Sequence, residues 1–245
     1  MKKFCQEWLD TLVVAISVAM AFRAYFFEPF NIPTGSMQET LWGNHAVAGV
    51  EKTAWDHFPL SALKWAWTGE TVVDVKAPAT GTVRAVPRND GKANIYVGAS
   101  GKAAAVLPND AAASVVGRFV RQGETVWHGA VRTGDFIFVN RWWWNFFKPK
   151  AGDVMIFSTT GIEALPQGTH YIKRMKATPG ETYMLEHPVA GRPEVVTMGE
   201  DEYFACGDNF DNSFDSRYWG TVPGSKLRGV GSVVFWPFNG WRKIK

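Results

Sequence analysis

The stretch DFIFVNRWWWNFFKPKAGDVMIFS, residues 135–158, contains the two clearest strand signals of the chain. Asp135–Asn140 and Asp153–Ser158 are short runs rich in Val, Ile and Phe, with Gly or Pro residues close by. This composition favours the pleated surface of a β-strand. The aromatic residues between Arg141 and Lys148 suit a membrane interface, but they also suit a strand end whose rings pack inward. We expect both uses within this segment.

Further strand candidates of the same kind lie on both sides of this stretch. They are Glu70–Ala77, Gly81–Val86, Ile95–Gly98, Val115–Arg121, Tyr171–Ala177, Glu181–Leu185, Tyr203–Cys206 and Gly229–Trp236. Turn-forming Gly, Pro, Asn and Asp separate them. The sequence therefore predicts a mainly β protein, in which an antiparallel sheet domain carries a β-rich insertion at about residues 43–133.

The amino-terminal segment TLVVAISVAMAFRAYFF, residues 11–27, is apolar and just long enough to cross a hydrocarbon core of ~30 Å. Two lysines at positions 2 and 3 precede it. They predict a cytoplasmic segment at 1–10, a transmembrane helix at 11–27 and an extracytoplasmic domain at 28–245. The alternative is a cleaved signal peptide, because Ala19-Met20-Ala21 imitates an A-x-A cleavage pattern. Aromatic residues continue past that pattern to Phe27, which favours an anchor.

Composition excludes several other functions. The chain has 46% hydrophobic and 20% charged residues, as expected of a folded protein, and its formal net charge is only +3. With no Lys/Arg-rich run in the sequence, nucleic acid is not an expected partner. Cys5 and Cys206 would lie on opposite sides of the predicted membrane span, so we expect no disulfide. The five histidines show no ligand spacing, so we expect no metal and no other cofactor.

A candidate nucleophile, Ser36, follows the apolar segment within EPFNIPTGSMQETL, residues 28–41. A serine hydroxyl needs a base within hydrogen-bond reach, and the run His170-Tyr-Ile-Lys173 offers two. On a strand, positions 170 and 173 point to opposite faces, so only one of them can meet the serine. Burial on such a strand would lower the pKa of Lys173 and make it a base. From these residues alone, an ordinary loop serine and an exposed strand lysine remain open alternatives.

Five stretches, in this order, resemble the sequence boxes of the type I signal peptidases, the bacterial leader peptidase family. They are EPFNIPTGSMQETL (28–41), TGDFIFVNRWWW (133–144), PKAGDVMIFS (149–158), YIKRMKATPGE (171–181) and GDNFDNSFDSRYWGTVP (207–223). Members of that family are membrane-anchored serine proteases that use a Ser/Lys dyad. The resemblance extends from the apolar segment to the end of the chain and leaves only the insertion unmatched.

The resemblance implies a role for each matching residue. Ser36 corresponds to the nucleophile, Lys173 to the general base and Ser213 to the hydroxyl that orients the lysine. Thr34 corresponds to the side chain that completes the oxyanion hole together with the Ser36 backbone N–H. Four further residues correspond to supporting ion pairs or contacts: Asp208, Arg174, Asp215 and Arg217.

The resemblance also implies shallow apolar clefts that accept small side chains, and so an Ala-x-Ala preference. The matching wall residues are Phe30, Ile32, Met37, Leu41 and Ile172. Each of them could equally be ordinary core. A substrate is expected to dock as an added strand.

The chain departs from the family pattern at three points. Glu39 stands where the family commonly has proline, and Phe210 replaces a common arginine. The insertion between the serine box and the TGDFIFV box is long. None of these departures touches the implied dyad.

The sequence thus predicts a membrane-bound serine endopeptidase that removes signal peptides from exported preproteins through an acyl-enzyme. The expected location is the bacterial inner or plasma membrane, as a single-pass protein with a cytoplasmic N-terminus. Signal peptides and membrane lipid are the expected partners. Two alternatives remain: a Ser/Lys protease of the same superfamily with one or few substrates, and a non-catalytic membrane-anchored binding protein.

Overall fold

The computed structural model describes residues 2–245, with the exception of the side chains of residues 2–5 and 22–25. The helices are α1 (Lys2–Tyr25), α2 (Leu60–Thr68), α3 (Asn109–Val115), α4 (Trp143–Phe146) and α5 (Ser216–Trp219). The first eight strands are β1 (Phe27–Asn31), β2 (His45–Ala48), β3 (Glu70–Lys76), β4 (Gly81–Pro87), β5 (Lys92–Val97), β6 (Ala105–Pro108), β7 (Phe119–Val120) and β8 (Thr125–Arg132). The others are β9 (Phe136–Asn140), β10 (Val154–Ser158), β11 (His170–Ala177), β12 (Thr182–Met184), β13 (Val195–Thr197), β14 (Glu202–Cys206), β15 (Val222–Pro223), β16 (Leu227–Trp236) and β17 (Arg242–Lys243).

The largest sheet has eight strands in the order β1-β9-β16-β10-β11-β14-β15, with β17 paired to β16. All of its pairings are antiparallel. Its central strand β10 is buried at every position, which explains the apolar run VMIF that precedes the buried Ser158. Ile156 belongs to one core cluster, and its neighbours Met155 and Phe157 belong to another. The prediction of a mainly β, antiparallel fold is confirmed.

Residues 45–132 form two small sheets, one with the order β2-β8-β3 and the other with the order β6-β5-β4-β7. They enclose a core of their own, which includes Val83, Ile95, Leu107 and Trp127. The segment leaves and rejoins the large sheet at neighbouring points, because His45 pairs with Arg132. Helix α2 contacts the large sheet, where Trp236 Nε1 donates a hydrogen bond to the Ala66 carbonyl at 2.8 Å.

One predicted strand, Val115–Arg121, is wrong over most of its length. Val115 ends helix α3, and only Phe119–Val120 is extended. The helix forms because Ala111, Ala112 and Val115 have helical spacing and bury one face against the core of the insertion. Asp110 lies in its first turn, where a carboxylate is favoured.

The aromatic segment after β9 is used in two ways. Trp144 packs against a core cluster, and its Nε1 donates a hydrogen bond to Asp153 Oδ2 at 3.3 Å. Its neighbours Trp142, Trp143, Phe146 and Phe147 are exposed. This segment therefore presents an apolar surface to its surroundings as well as a core contact.

Helix α1 extends over Lys2–Tyr25, and its described side chains are exposed. Among the residues that the structure describes, no helix has both the length and the apolar character needed to cross a membrane. The predicted span at 11–27 is therefore not found there. The two lysines and Cys5, on which topology and disulfide expectations rest, lie outside the residues with described side chains; Cys206 is a buried free thiol.

Candidate active site

Ser36 lies in a short 3₁₀ turn, Gly35–Met37, that follows β1. Met37 is fully buried in a core cluster of the large sheet and anchors the turn there. The Leu41 N–H closes the loop by donating to the Met37 carbonyl at 2.8 Å. The chain order of β1, turn and loop thus places a serine at the surface of the core with little freedom to move.

Lys173 lies on β11, opposite Met155 of β10. Side chains on β11 alternate in burial, so that His170 is exposed whereas Lys173 is only 4% exposed. The Lys173 ammonium donates a hydrogen bond to Ser36 Oγ, and the Nζ–Oγ distance is 2.7 Å. His170 instead contacts the Phe30 ring, edge to face, at 5.6 Å between centroids. The structure therefore brings the lysine to the serine and leaves the histidine outside.

The surroundings of Lys173 weaken its hold on the proton. Burial lowers the pKa of this amine from 10.5 to about 8, and the Arg217 charge acts in the same direction. The carboxylates of Asp215 and Asp208 oppose this shift without reversing it. A substantial fraction of the lysine is therefore neutral at mildly alkaline pH and able to accept a proton from the serine.

The stretch after β14 holds the backbone of the Ser36 turn by hydrogen bonds. The Asn209 N–H donates to the Ser36 carbonyl at 3.1 Å, and Asn209 Nδ2 donates to the Gly35 carbonyl at 3.1 Å. A Cβ at Gly207 would overlap both the Ser36 carbonyl and the Ser213 hydroxyl. Neither Gly207 nor Asn209 was among the predicted site residues, although both stand in the GDN triplet that opens the last sequence box.

Ser213 is buried next to this backbone contact, with its hydroxyl close to Gly207. Behind it, Asp215 and Arg217 form a buried ion pair, with Arg217 Nε 2.8 Å from Asp215 Oδ1 and Nη2 3.0 Å from Oδ2. Burial alone would raise the pKa of Asp215, but the hydrogen bonds from Arg217 and from the Gly207 N–H outweigh it and lower the pKa. Asp215 thus remains a carboxylate and holds Gly207 in place.

A second ion pair, between Arg174 of β11 and Asp208, lies next to the loop that follows Ser36. Arg174 makes two hydrogen bonds of 2.7 Å to the Asp208 carboxylate. Its Nη2 also donates to Thr40 Oγ1 at 3.1 Å. Because Arg174 directly follows Lys173, this network fixes the spacing between the lysine strand and the serine loop.

The remaining predicted residues fall into three groups by burial. Thr34 is exposed in extended backbone just before the turn, and its side chain makes no capping hydrogen bond. Phe30 and Ile172 are partly buried and retain exposed surface. Ile32, Met37 and Leu41 are instead buried in the core cluster, so their contribution to a substrate pocket remains a prediction.

The insertion also reaches the segment before the serine. Gly91, at the turn between β4 and β5, lies so close to the Pro33 carbonyl that a Cβ there would overlap it. Asn44 links the two sides, since its backbone N–H donates to the Pro33 carbonyl at 3.2 Å and its Nδ2 to the Asp90 carbonyl at 2.7 Å. The insertion is therefore in direct contact with the chain that leads into Thr34 and Ser36.

The described part of the chain contains no group of three or more His, Cys, Asp or Glu side chains arranged to hold a metal ion. The side chains at the site offer a nucleophile and an amine, which are sufficient for acyl transfer. The geometry places a lysine amine within hydrogen-bond distance of a serine hydroxyl.

Comparisons with known proteins indicate the family of this chain. A family model described as signal peptidase, peptidase S26 matches residues 5–92 and 185–236, which together make up more than half of the chain. Ser36 and the 207–217 stretch lie within the matched residues, and Lys173 lies between them.

Several individual relatives carry the same description. A probable signal peptidase I-2 of Synechocystis sp. is 33% identical over 107 residues, which cover 36% of this chain and 49% of the relative. The signal peptidase I of Leptolyngbya laminosa is 30% identical over 131 residues, covering 44% of this chain and 64% of the relative. The chain thus spans about half to two thirds of the length of these relatives. The signal peptidase I of Buchnera aphidicola subsp. Schizaphis graminum is 25% identical, covering 97% of this chain and 77% of the relative.

Among solved structures, a signal peptidase I from Enterococcus faecalis matches 34% of this chain at 25% identity, covering 97% of that chain, with a TM-score of 0.27. This score is too low to support an argument about the fold. The match of the family model to more than half of the chain is sufficient to assign the family. The chain belongs to the signal peptidase family, peptidase S26.

Proposed function

We propose that this protein is a serine endopeptidase that removes amino-terminal signal peptides from exported preproteins, with Ser36 as nucleophile and Lys173 as general base. The observation that carries the proposal is the buried contact of 2.7 Å between Ser36 Oγ and Lys173 Nζ. The lowered pKa of Lys173, about 8, supports its role as a base. Membership of the signal peptidase family supports the choice of substrate.

In the acylation step, neutral Lys173 accepts the proton of the Ser36 hydroxyl as Oγ attacks the scissile carbonyl carbon. The new Oγ–C bond creates a tetrahedral oxyanion. Thr34 and the Ser36 N–H would donate hydrogen bonds to it, and removing one such donor typically costs ~10²–10³ in rate. The C–N bond then breaks, and the Lys173 ammonium returns the proton to the leaving amine.

Deacylation uses the same base in a second cycle. Lys173 takes a proton from a water molecule while the water oxygen attacks the acyl carbon. The Oγ–C bond breaks, Ser36 Oγ leaves with the proton from Lys173, and the signal peptide is released with a free carboxylate. No group other than the serine, the amine and water is needed to balance either step.

Two features support cleavage after small residues in an extended substrate. Phe30 and Ile172 are partly exposed apolar side chains beside the dyad, and they suit shallow pockets of the kind that admit alanine. Strand β1, which carries Phe30, is an edge strand of the large sheet and can accept a peptide as an added strand. Both features fit an Ala-x-Ala preference.

We also propose that α1 attaches this domain to a bacterial membrane, with the domain on the exported side. The exposed apolar side chains of α1, among them Leu12, Val14, Val18 and Met20, support the attachment. The exposed rings around α4 provide a second apolar surface on the same chain. The orientation rests on the two lysines that precede the apolar segment.

The test of the catalytic proposal is cleavage of a preprotein with an Ala-x-Ala site, supplied in detergent or lipid. Ser36→Ala and Lys173→Ala are each expected to reduce kcat by about 10³-fold or more, because residues that act as a unit fail together. His170→Ala, on the same strand, is the matched control and should retain activity. An active Lys173→Ala together with an inactive His170→Ala would contradict the assignment of the base.

A panel of preproteins extends the same assay. Cleavage of many Ala-x-Ala substrates supports a general signal peptidase, whereas cleavage of one or two indicates a specialised processing protease. A folded wild-type protein that cleaves none of them would contradict the enzymatic proposal and favour a binding role.

A further inference from the structure

A groove of about 810 Å³ lies beside the nucleophile, on the side of the loop that follows it. Its walls come from the segment after Ser36 and from the segment after Gly207. The residues that matter for the argument are Gln38, Glu39, Trp42, Asn209, Phe210 and Asp211.

The groove begins at the catalytic turn itself. Asn209 forms part of its floor and donates to the carbonyls of Gly35 and Ser36, both at 3.1 Å. Gln38 follows the turn directly, with Oε1 3.4 Å from Asn209 Nδ2. A peptide held at Ser36 therefore lies at the mouth of the groove.

The groove lies apart from the residues expected to hold the signal peptide. Those residues with exposed surface are Phe30, on the strand before Ser36, and Ile172, beside Lys173. The groove shares no lining residue with them. The groove therefore lies on the other side of Ser36 in the chain, next to the segment that follows the serine, where the carboxyl side of a bound substrate would need room.

The groove also has a negative charge of its own. Glu39 and Asp211 are exposed, and neither forms an ion pair with any residue that the structure describes. The third carboxylate, Asp208, is neutralised by Arg174 at 2.7 Å. Two cations lie over the Phe210 ring, each 5.2 Å from its centroid, and each has an acidic partner of its own. Lys176 lies 3.6 Å from Glu186, and Arg217 lies 2.8 Å from Asp215.

The aromatic walls suit a long basic side chain. Trp42 is 42% exposed and offers apolar surface to the methylene stem of a lysine or arginine. Phe210, partly exposed, packs against the His187 ring at 4.2 Å between centroids, and both residues line the groove. The charged end would then face Glu39 and Asp211, and an aromatic face also attracts a cation.

We propose that this groove binds the first residues of the mature protein, on the carboxyl side of the scissile bond, and that Glu39 and Asp211 select a basic side chain there. The inference rests on the proposed peptidase function and adds a charge preference to it. It assigns to Glu39 and Phe210, two positions at which the chain departs from the family pattern, a place in substrate selection.

The experiment compares three preproteins that differ only in one residue among the first four after the cleavage site: lysine, glutamine or glutamate. We expect wild-type kcat/KM to be about 2- to 10-fold higher for lysine than for glutamine and lower for glutamate, as exposed charge pairs allow. The ratio should fall toward one as salt is raised from 0.05 to 0.5 M, because exposed charges are screened.

The variant Glu39→Gln combined with Asp211→Asn should bring the lysine-to-glutamate ratio close to one, with each kcat/KM expressed relative to that of the glutamine substrate for the same variant. Glu39→Lys should reverse the preference. Glu163→Gln, an exposed acid outside the groove, is the matched control and should keep the wild-type ratio. A ratio near one in the wild type, or one that the double variant does not alter, would overturn the inference.

The two proposals fail in different ways. If Ser36→Ala and wild type are equally inactive on all three substrates, the peptidase function itself is wrong. If wild type cleaves all three at equal rates, the function stands and the charge selection is wrong.

Discussion

Lys173 shows how one buried amine affects catalysis and stability at the same time. Its side chain is removed from water so that the neutral form is accessible, and the ammonium form consequently costs folding free energy. The gap between 10.5 and about 8 corresponds to about 3 kcal/mol. The cost is present in full below pH 8, where the lysine is protonated in both folded and unfolded chains.

This leads to a prediction about pH. Between pH about 8 and about 10.5 the folded protein releases the proton and the unfolded chain keeps it, so stability should rise with pH across that window. Activity should rise through pH about 8, since only the neutral amine is a base. A pH profile of kcat/KM and urea unfolding at several pH values measure the two effects.

Lys173→Met tests whether the buried Lys173 ammonium causes the predicted pH dependence of stability. It should be inactive and, at pH 7, more stable than wild type by up to about 3 kcal/mol, because the buried charge is gone. The part of the alkaline stabilisation that comes from this lysine should disappear with it. A variant no more stable than wild type at pH 7 would show that the ammonium carries no such cost.

At this scale the sequence predicted the contact between Ser36 and Lys173 better than the surroundings of that contact. The opposite faces of positions 170 and 173 follow from strand geometry alone, and the structure places His170 outside and Lys173 against Ser36. Asn209 escaped prediction because its role depends on how closely two distant loops approach. Likewise, nothing in the sequence distinguishes Ile32, which is buried in the core, from Phe30, which keeps exposed surface.

At the scale of elements, the turn between β4 and β5 supports the catalytic turn from outside. Gly91 in this turn has φ +73°, and its hydrogen atoms face the Pro33 carbonyl. The position suits glycine for two reasons: the backbone is left-handed, and the neighbouring chain leaves no room for a Cβ. The insertion therefore packs against the segment that leads to Thr34.

We predict that Gly91→Ala lowers kcat by about 10- to 100-fold, because it displaces the segment before Ser36 and a shift of about 1 Å at a reacting group has that effect. Preprotein cleavage by the folded variant measures it. Gly123→Ala is the matched control, since Gly123 also has positive φ, +83°, but has open space around its Cβ position. Gly123→Ala should lose about 1–2 kcal/mol of stability from backbone strain, and Gly91→Ala should lose more, because the Pro33 segment must also move. Equal activity of the two would contradict a supporting role for the turn.

The strands were predicted correctly where the local sequence alone favours an extended conformation. Strands β9, β10 and β11 appear within a residue of their predicted limits. The first two are compact apolar runs, whereas β11 carries four basic or histidine side chains and buries every second residue from Lys173 to Ala177. Strand β8 was not predicted, since its sequence TVWHGAVR contains a glycine and a histidine, and its extended form depends on pairing with both β2 and β3. Tertiary pairing, rather than local preference, decides such strands.

At the scale of the whole molecule, α1 and the sheet domain have separate expected tasks. If α1 serves attachment, a chain lacking residues 1–25 should no longer float with lipid vesicles. It should still cleave a short soluble peptide at a rate within about threefold of the full chain, because the described catalytic residues all lie beyond residue 25. Vesicle flotation and peptide cleavage measure the two properties.

Cleavage of a vesicle-embedded preprotein by the shortened chain should fall by about tenfold or more, since enzyme and substrate no longer share a surface. Vesicle binding equal to that of the full chain would show that another surface, such as the exposed rings around α4, provides the attachment. The peptide assay is the control for folding in either case.

The class of fold was predictable because strand signals and turn residues recur along most of the chain. The division of residues 45–132 into two sheets with their own core was not, because short strands of similar composition do not reveal their partners. The approach of this segment to Pro33 was equally hidden, since it depends on a single turn meeting a distant loop.

The pairing of His45 with Arg132 has a consequence for how this chain can vary in evolution. A segment that departs and returns at adjacent positions can grow, shrink or be exchanged without altering the register of the strands that hold Ser36 and Lys173. Length changes among homologous chains should therefore accumulate at this junction. Any replacement segment would still have to contact Pro33 and so hold the backbone just before Ser36 in position.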